Sequence, residues 1–358
     1  MKYKLLAING EFFCRNLTGI ERLAIEVTGF LDKMVAPNKV ELIIPANARN
    51  VPSYKNIKVV KLEKEAHFFP KWTQFIFQKY VLSHKALSLD FSNTCPFFCP
   101  GIEFIHDIYC KLFNEDFTSK RDRLISFYSR IMYHRIAKKA KKIVTVSEYT
   151  KKTILETYEI KPERIAVVYS GIGEYQKIEK DMSVFEKFPV LKENEFFFTL
   201  GSLSTRKNLK WIASHAQLFP QELFVICGKP IPAVVPPELE KLKTLKNVIM
   251  TGYLSDSQVK AMLSKCKAFV FPSYFEGFGL PPLEALSCGA PIIISNKTCL
   301  PEIYQDCAHY INPDVFDVDL NKILEQPVAS PEKLLEKYTL QNTAKRLLSV
   351  INEVIKVV

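Results

Sequence analysis

The chain has 358 residues, 47% of them hydrophobic and 24% charged, with a formal net charge of +11. That length suits two domains, and the composition supplies a full core, which excludes a disordered chain and a disulfide-stapled miniprotein. There is no apolar run of membrane-spanning length, the opening "MKYKLLAINGEFF" lacks the features of a secretory signal, and the nine cysteines fall without zinc spacing, so a reduced cytoplasmic protein with no metal and no cofactor is expected.

In chain order, short apolar runs alternate with helical patterns. "KYKLLAI", "VELIIPA", "IEFIHDI", "KKIVTVS" and "RIAVVYS" read as buried strands of the first half. "EFFFTLG", "LFVICGK", "NVIMTGY", "KAFVFPS" and "APIIISN" read as strands of the second. Runs this apolar suit parallel sheets covered on both faces. Helices are predicted between them over residues 20–34, 121–141, 148–158, 207–218, 256–264 and 281–288. Such alternation, twice over, predicts α/β architecture with two doubly wound parallel-sheet domains. A polar, aperiodic stretch at 171–195 reads as the linker. Open sheets of this kind bind ligands outside the carboxyl ends of their strands, so a cleft between the two domains is the expected site.

The chemistry-bearing segments follow the same order. In "NLTGIERLAIEV", Thr18 and Glu21 form a capping box and Gly19 lets a ligand approach the backbone. Arg22 can face that ligand or pair with Glu26 along the helix. His106, in "EFIHDIYC", falls at the end of a strand, although a lone histidine is more often a satisfied core or surface group. From Lys120 to Lys152, eleven basic residues are opposed only by Asp122 and Glu148. That run reads as a solvated helix face, a nucleic-acid patch or a surface for anionic lipid headgroups. Ser147 is expected to cap the helix after it.

"LGSLSTRKNLKWI" ends a strand at Gly201 and starts a helix near Asn208. Arg206 and Lys207 stand at its mouth, a bidentate fork and a point charge suited to a departing diphosphate. In "FEGFGLPPLEALSCG", residues 275–289, a strand gives way to a loop through Glu276, Gly277, Phe278 and Gly279. Pro281 and Pro282 fall in the first turn of a helix, where a missing N–H costs nothing, and Gly289 closes that helix. The glycines admit a ligand against the backbone, and the helix start favours an anion. Glu276 and Glu284, the latter read into the first turn, flank that anion. A molecule with phosphates in its middle and hydroxyls at both ends is a sugar nucleotide.

The E-x7-E spacing from Glu276 to Glu284, with "FPS" before it and "ALSCGAPII" after it, resembles the signature of the retaining GT-B glycosyltransferases of family 4 (glycosyl transferases group 1). The "RKN" at 206–208, the "HD" at 106–107, "LTGIER", the run 143–172, "NVIMTGYLSD" and the run 300–315 resemble further elements of that family. The similarity covers nearly the whole chain, more strongly in the second half. It implies a GT-B fold with an acceptor-side domain over 1–172, a donor domain over 173–340, and a closing helix over 341–358 that returns to the first domain. Catalysis is implied for Glu276, His106, Lys207 and Arg206, with His106 orienting the donor sugar and Asp107 the loop. Donor binding is implied for Gly19, Gly201, Arg206, Lys207, Glu276 and Glu284, and for the loop residues Gly277, Phe278, Gly279 and Leu280. Backbone at Gly252, Tyr253 and Leu254 would read the nucleobase. Many members carry arginine directly after the first glycine, where this chain has Ser202; Arg206 would then supply that charge.

The activity implied is retaining, metal-independent transfer of a hexose or deoxyhexose from a UDP-, GDP- or dTDP-linked donor to a saccharide hydroxyl. The acceptor would be lipid-linked, in cell-surface polysaccharide or glycolipid assembly. The protein would be cytoplasmic, peripheral at the inner face of the membrane through the basic residues 120–152. Its partners would be donor and acceptor, not nucleic acid. A non-catalytic nucleotide-sugar-binding subunit and a basic nucleic-acid binder remain as other readings. The complete set of Glu276, Glu284 and Lys207 counts against the first, and missing aromatic-rich recognition motifs count against the second.

Overall fold

The computed structural model describes residues 3–201, 203–228 and 238–358. The chain forms two compact units, one of Met1–Leu112, Ile125–Gly171 and Tyr338–Val358, the other of Phe113–Leu124 and Ile172–Lys337. The helices of eight residues or more among the described residues are α1 (Gly19–Asp32), α2 (Lys120–Lys139), α3 (Glu148–Tyr158), α4 (Leu209–Leu218), α5 (Asp256–Leu263), α6 (Leu280–Ser287) and α7 (Leu340–Val354).

The first unit holds a seven-stranded parallel sheet of order β3-β2-β1-β4-β5-β6-β7. Its strands are β1 (Leu6–Asn9), β2 (Val40–Ile44), β3 (Lys58–Lys61), β4 (Leu87–Asp90), β5 (Ile102–Phe104), β6 (Lys142–Thr145) and β7 (Ile165–Val167). Side chains alternate across a strand. Leu6 and Ile8 of β1 therefore pack with Leu23 and Val27 of α1 and with Leu347 and Ile351 of α7. Ala7 and Ile43 face the other way, toward Trp72, Phe77 and Val81. Both faces are covered, which is why these strands read as continuous apolar runs.

Two strands go beyond the five expected here. β3, "KVVK", is a largely exposed edge strand whose lysines hide it. β4, "LSLD", is wholly buried, and its polar side chains are met by protein groups. Ser88 donates to Glu103 at 2.6 Å and Asp90 accepts from Asn9 at 2.7 Å. Residues 72–77 form a π-helical turn, a further element the sequence pattern did not reveal. The capping expectations hold: Thr18 N donates to Glu21 Oε2 at 3.2 Å, and Thr150 N donates to Ser147 Oγ at 3.1 Å.

The second unit holds a six-stranded parallel sheet of order β10-β9-β8-β11-β12-β13. Its strands are β8 (Phe196–Leu200), β9 (Leu223–Cys227), β10 (Val248–Gly252), β11 (Ala268–Phe271), β12 (Ile292–Ser295) and β13 (His309–Ile311). β13 was not expected. The predicted helix 207–218 begins later, at Leu209, after a 3-10 turn over Thr205–Lys207. The stretch read as a linker is packed on this unit. Ile172, Tyr175, Val184 and Leu191 are buried, and Lys260 Nζ donates to the carbonyl of Ile178 at 2.7 Å. Its charges sit between those anchors and mask them.

The closing segment docks tightly within the first unit. Thr343 Oγ1 donates to the carbonyl of Tyr169 at 2.8 Å. A Cβ on Gly171 would stand 2.6 Å from backbone carbons of Tyr338 and Thr339. Backbone cannot give way as a side-chain tip can. Gly171→Ala is therefore expected to lower stability by about 1–3 kcal/mol, read as a lower denaturant midpoint. An unchanged midpoint would show that α7 is not held by this approach.

Candidate functional site

In the second sheet β8 lies between β9 and β11, so connections leave it in opposite directions. A crevice at the carboxyl ends is the geometric result. β8, β9 and β10 each end at a glycine of positive φ: Gly201 at 148°, Gly228 at 144° and Gly252 at 72°. Gly201 N donates to the carbonyl of Cys227 at 3.1 Å, and Gly228 N donates to that of Gly252 at 2.9 Å. A Cβ on Gly228 would overlap the carbonyl oxygen of Gly201. This edge of the sheet is bare backbone because a side chain has no place at that contact.

The exits of β8 and β11 are stitched together. Asn208, buried at φ 55°, caps α4 by accepting from Trp211 N at 3.1 Å. Its Nδ2 donates to the carbonyls of Pro272 at 3.1 Å and Pro313 at 3.0 Å. Tyr274 N donates to the carbonyl of Arg206 at 2.9 Å. The outcome is a buried ion pair: Lys207 Nζ stands 2.6 Å from Glu276 Oε1, with the side chains 12% and 7% exposed. The ammonium also lies 4.5 Å from the centre of the Phe271 ring. The lysine stem passes Gly201, where a Cβ would be 3.4 Å from Cε.

Glu276 is held from behind as well. Its backbone N donates to Thr298 Oγ1 at 3.3 Å, and Cys299 Sγ donates to its carbonyl at 3.2 Å. Gly279, at φ 81°, leaves no room for a Cβ, which would meet Leu300 at 2.5 Å. The Tyr304 hydroxyl donates to the Gly279 carbonyl. α6 then starts at Leu280, so Glu284 is its fifth residue and sits in the second turn, not the first as expected. The helix ends as expected at Gly289: Gly289 N bonds the Leu286 carbonyl and Ala290 N that of Ala285, a Schellman arrangement.

Burial pushes the Glu276 carboxyl up, but Lys207 and Arg206 outweigh it and hold the group below the usual carboxylate range. An ionised carboxylate only accepts hydrogen bonds, so it suits a ligand that presents hydroxyl donors. Tyr253 is exposed, whereas Leu254 and Phe278 are buried. Ser202 lies outside the described residues.

Two expected site residues belong to the first unit. Gly19 opens α1, and among the described residues nothing stands within 4 Å of where its Cβ would be. His106 N donates to Asn93 Oδ1 at 2.8 Å, and its ring stacks on Phe104 at 5.4 Å. Nε2 lies 2.6 Å from the Phe91 carbonyl. A carbonyl only accepts, so Nε2 carries the proton and Nδ1 is the ring's acceptor. Burial lowers the His106 pKa and favours this neutral form. Asp107 orients the loop, accepting from Tyr109 N at 3.0 Å.

Sequence reasoning missed Gly228, the positioning role of Asn208 and a buried polar network where β1 and β4 end. There Asn9 links Asp90 to Trp72, whose Nε1 donates to Asn9 Oδ1 at 2.8 Å, and Thr73 donates to Glu11 at 2.8 Å. Burial and the neighbouring Glu11 hold the Asp90 carboxyl well above its ordinary range. The available signal was a polar residue closing each of the runs "LAIN" and "LSLD".

Comparison with known proteins decides the family. The profile "Glycosyltransferase Family 4" matches residues 96–173 and "Glycosyl transferases group 1" matches residues 181–339, together about two thirds of the chain. The chain belongs to the group 1, family 4 glycosyltransferases. It is 31% identical over 228 residues to the serotype-specific mannosyltransferase WbdA of Escherichia coli, covering 58% of this chain and 27% of that protein. It is 29% identical over 213 residues to the O-antigen chain mannosyltransferase RfbU of Salmonella typhimurium (strain LT2), covering 59% of this chain and 56% of that one. The alignments thus span about a quarter and about half of these relatives. The solved structure of Anabaena HepE in complex with UDP-glucose matches 98% of this chain and 99% of its own, with a TM-score of 0.70 and 14% identity. Both sheets of this glycosyltransferase thus have the GT-B architecture.

The ion pair has a pH signature. Because the Glu276 pKa is depressed in the fold, its stabilising effect is fully present above the unfolded carboxylate range and is lost as pH falls through the lowered value. Lys207→Met leaves the buried carboxylate short of a partner and is expected to cost on the order of 3 kcal/mol at neutral pH. The deficit should shrink as pH drops through the carboxylate range and Glu276 protonates. Denaturant titrations of both proteins across pH check this; a pH-independent deficit would contradict it.

Proposed function

We propose that this chain transfers a hexose, with retention, from a nucleoside-diphosphate sugar to a hydroxyl of a lipid-linked saccharide in cell-surface polysaccharide assembly. The observation that carries the reading is the buried Lys207–Glu276 pair at the switch point of the second sheet. In this reading Glu276 accepts hydrogen bonds from the sugar hydroxyls, while Lys207 and Arg206 hold the diphosphate. Glu284 takes the ribose, and backbone at Gly252, Tyr253 and Leu254 faces the base. Gly201 and the loop Gly277, Phe278, Gly279 and Leu280 let the donor approach the backbone. His106 offers Nδ1 to a sugar hydroxyl.

The bond from the anomeric carbon to the diphosphate oxygen breaks as the bond to the acceptor oxygen forms on the same face. The acceptor proton passes to the departing phosphate oxygen. Fixed cations stabilise the charge that develops there. We assign that stabilisation to Lys207 and Arg206 rather than to a metal, so transfer should survive EDTA. Mannose is the first sugar to test, since WbdA and RfbU are both named mannosyltransferases.

A thermal-shift panel of GDP-mannose, UDP-glucose, dTDP-rhamnose and ADP-glucose identifies the donor; no shift with any nucleotide sugar would overturn the reading. With the donor in hand, Glu276→Gln and Lys207→Ala should each lower kcat by about 100-fold or more. Either variant keeping full activity would remove that residue from the mechanism.

A further inference from the structure

Several residues other than glycine take a positive φ, among them Asn38, Asn50, Asn194 and Asn208. Asparagine tolerates that conformation. Thr298, at φ 57°, is the only β-branched residue to adopt it among the described residues. A branched Cβ crowds the backbone there, so the position is strained and persists only where its surroundings hold it. The chain on either side is fixed. Asn296 N donates to the Ile311 carbonyl at 2.9 Å and Lys297 N to Ser295 Oγ at 3.1 Å, which completes the exit from β12. The short helix Leu300–Tyr304 follows, with Ile303 N donating to the Cys299 carbonyl at 3.0 Å. The chain turns at Thr298, between these two anchors.

The turn faces Glu276. Thr298 Oγ1 accepts from Glu276 N at 3.3 Å, and Cys299 Sγ donates to the Glu276 carbonyl at 3.2 Å. Two consecutive residues thus grip both backbone polar groups of a single residue. In an extended chain, successive side chains point to opposite sides and could not do this. The left-handed residue brings both to one side. Further along, the Tyr304 hydroxyl donates to the Gly279 carbonyl, so the segment 298–304 holds the glutamate loop at both ends. Thr298 is half-buried, and Cys299 and Tyr304 are buried. A glycine would adopt this φ without strain, but it has no oxygen to accept from Glu276 N.

We propose that Thr298 is a positioning residue of the donor site: its strained turn sets its own hydroxyl and the Cys299 thiol on Glu276, and so fixes the carboxylate 2.6 Å from Lys207. The inference rests on the reading of Glu276 as the group that receives the sugar hydroxyls, and it adds the residue that decides where that carboxylate stands. Thr298 acts through Glu276. A misplacement of about 1 Å at such a group is felt as the bond to the diphosphate breaks, so the loss falls on kcat more than on KM.

The test compares Thr298→Gly, which removes the hydroxyl together with the strain, and Thr298→Ser, which keeps the hydroxyl. The first readout needs no substrate. Lys207→Met is introduced into each background, and its cost is read as the drop in denaturant midpoint at neutral pH. In Thr298→Gly that drop should shrink to about half or less, because a loosened carboxylate can turn to water. In Thr298→Ser it should match the wild-type drop. The melting temperature of Thr298→Gly should stay within about 3 °C of wild type, since relieved strain offsets the lost hydrogen bond. The second readout is turnover of the donor identified by the thermal-shift panel. Thr298→Gly should lower kcat about tenfold or more with KM changed by less than about threefold, and Thr298→Ser should bring kcat back to within about twofold of wild type. An undiminished cost of Lys207→Met in the glycine background overturns the proposal. So does a wild-type kcat in Thr298→Gly, or a loss confined to its melting temperature. A wild-type protein that turns over no nucleotide sugar counts only against the donor reading, and the midpoint comparison still decides the role of Thr298.

Discussion

A lysine and a glutamate 69 positions apart form a buried ion pair at 2.6 Å, and much of the second unit is arranged so that they can. Taking two charges out of water costs several kcal/mol each unless the geometry is good and fixed. The fixing is visible on both sides. Asn208 in its left-handed conformation ties the exit of β8 to that of β11. The lysine stem passes Gly201, whose positive φ ends β8. Thr298, Cys299 and Tyr304 hold the loop that carries the glutamate. With the pair in place the Glu276 carboxyl is held below its usual range.

The two sheets share a topology and differ in what occupies the reversal of strand order. In the second, fixed cations and backbone meet there. In the first, Asn9, Trp72, Thr73 and Asp90 form a buried hydrogen-bonded network, and burial keeps the Asp90 carboxyl high in pKa. The two sheets thus differ in the side chains placed at equivalent points.

His106 shows the same logic on a smaller scale. The Phe91 carbonyl takes the Nε2 proton, burial keeps the ring neutral, and the acceptor nitrogen is thereby chosen. α2 shows its counterpart at the surface. One face of the helix is consumed by the core, and the other keeps phenylalanine, isoleucine and lysine in water.

The sequence by itself determined what local pattern can encode. Apolar runs buried on two faces announced ten of the strands, capping residues placed the starts of α1 and α3, and the glycines and prolines of 275–289 set out a strand, a tight loop and a helix. Those signals act within a few residues of their cause. Tertiary structure decided the rest, because the deciding contacts are distant in the chain. β3 is masked by its lysines and β4 by Ser88 and Asp90, which find partners only in the fold. Ile172, Tyr175, Val184 and Leu191 anchor a stretch whose charges read as a linker. Gly228 is required only because Gly201 lies against it. The motif put Lys207 and Glu276 on the page as separate residues; their pairing, and with it the charge state of the glutamate, exists only once β8 and β11 lie side by side.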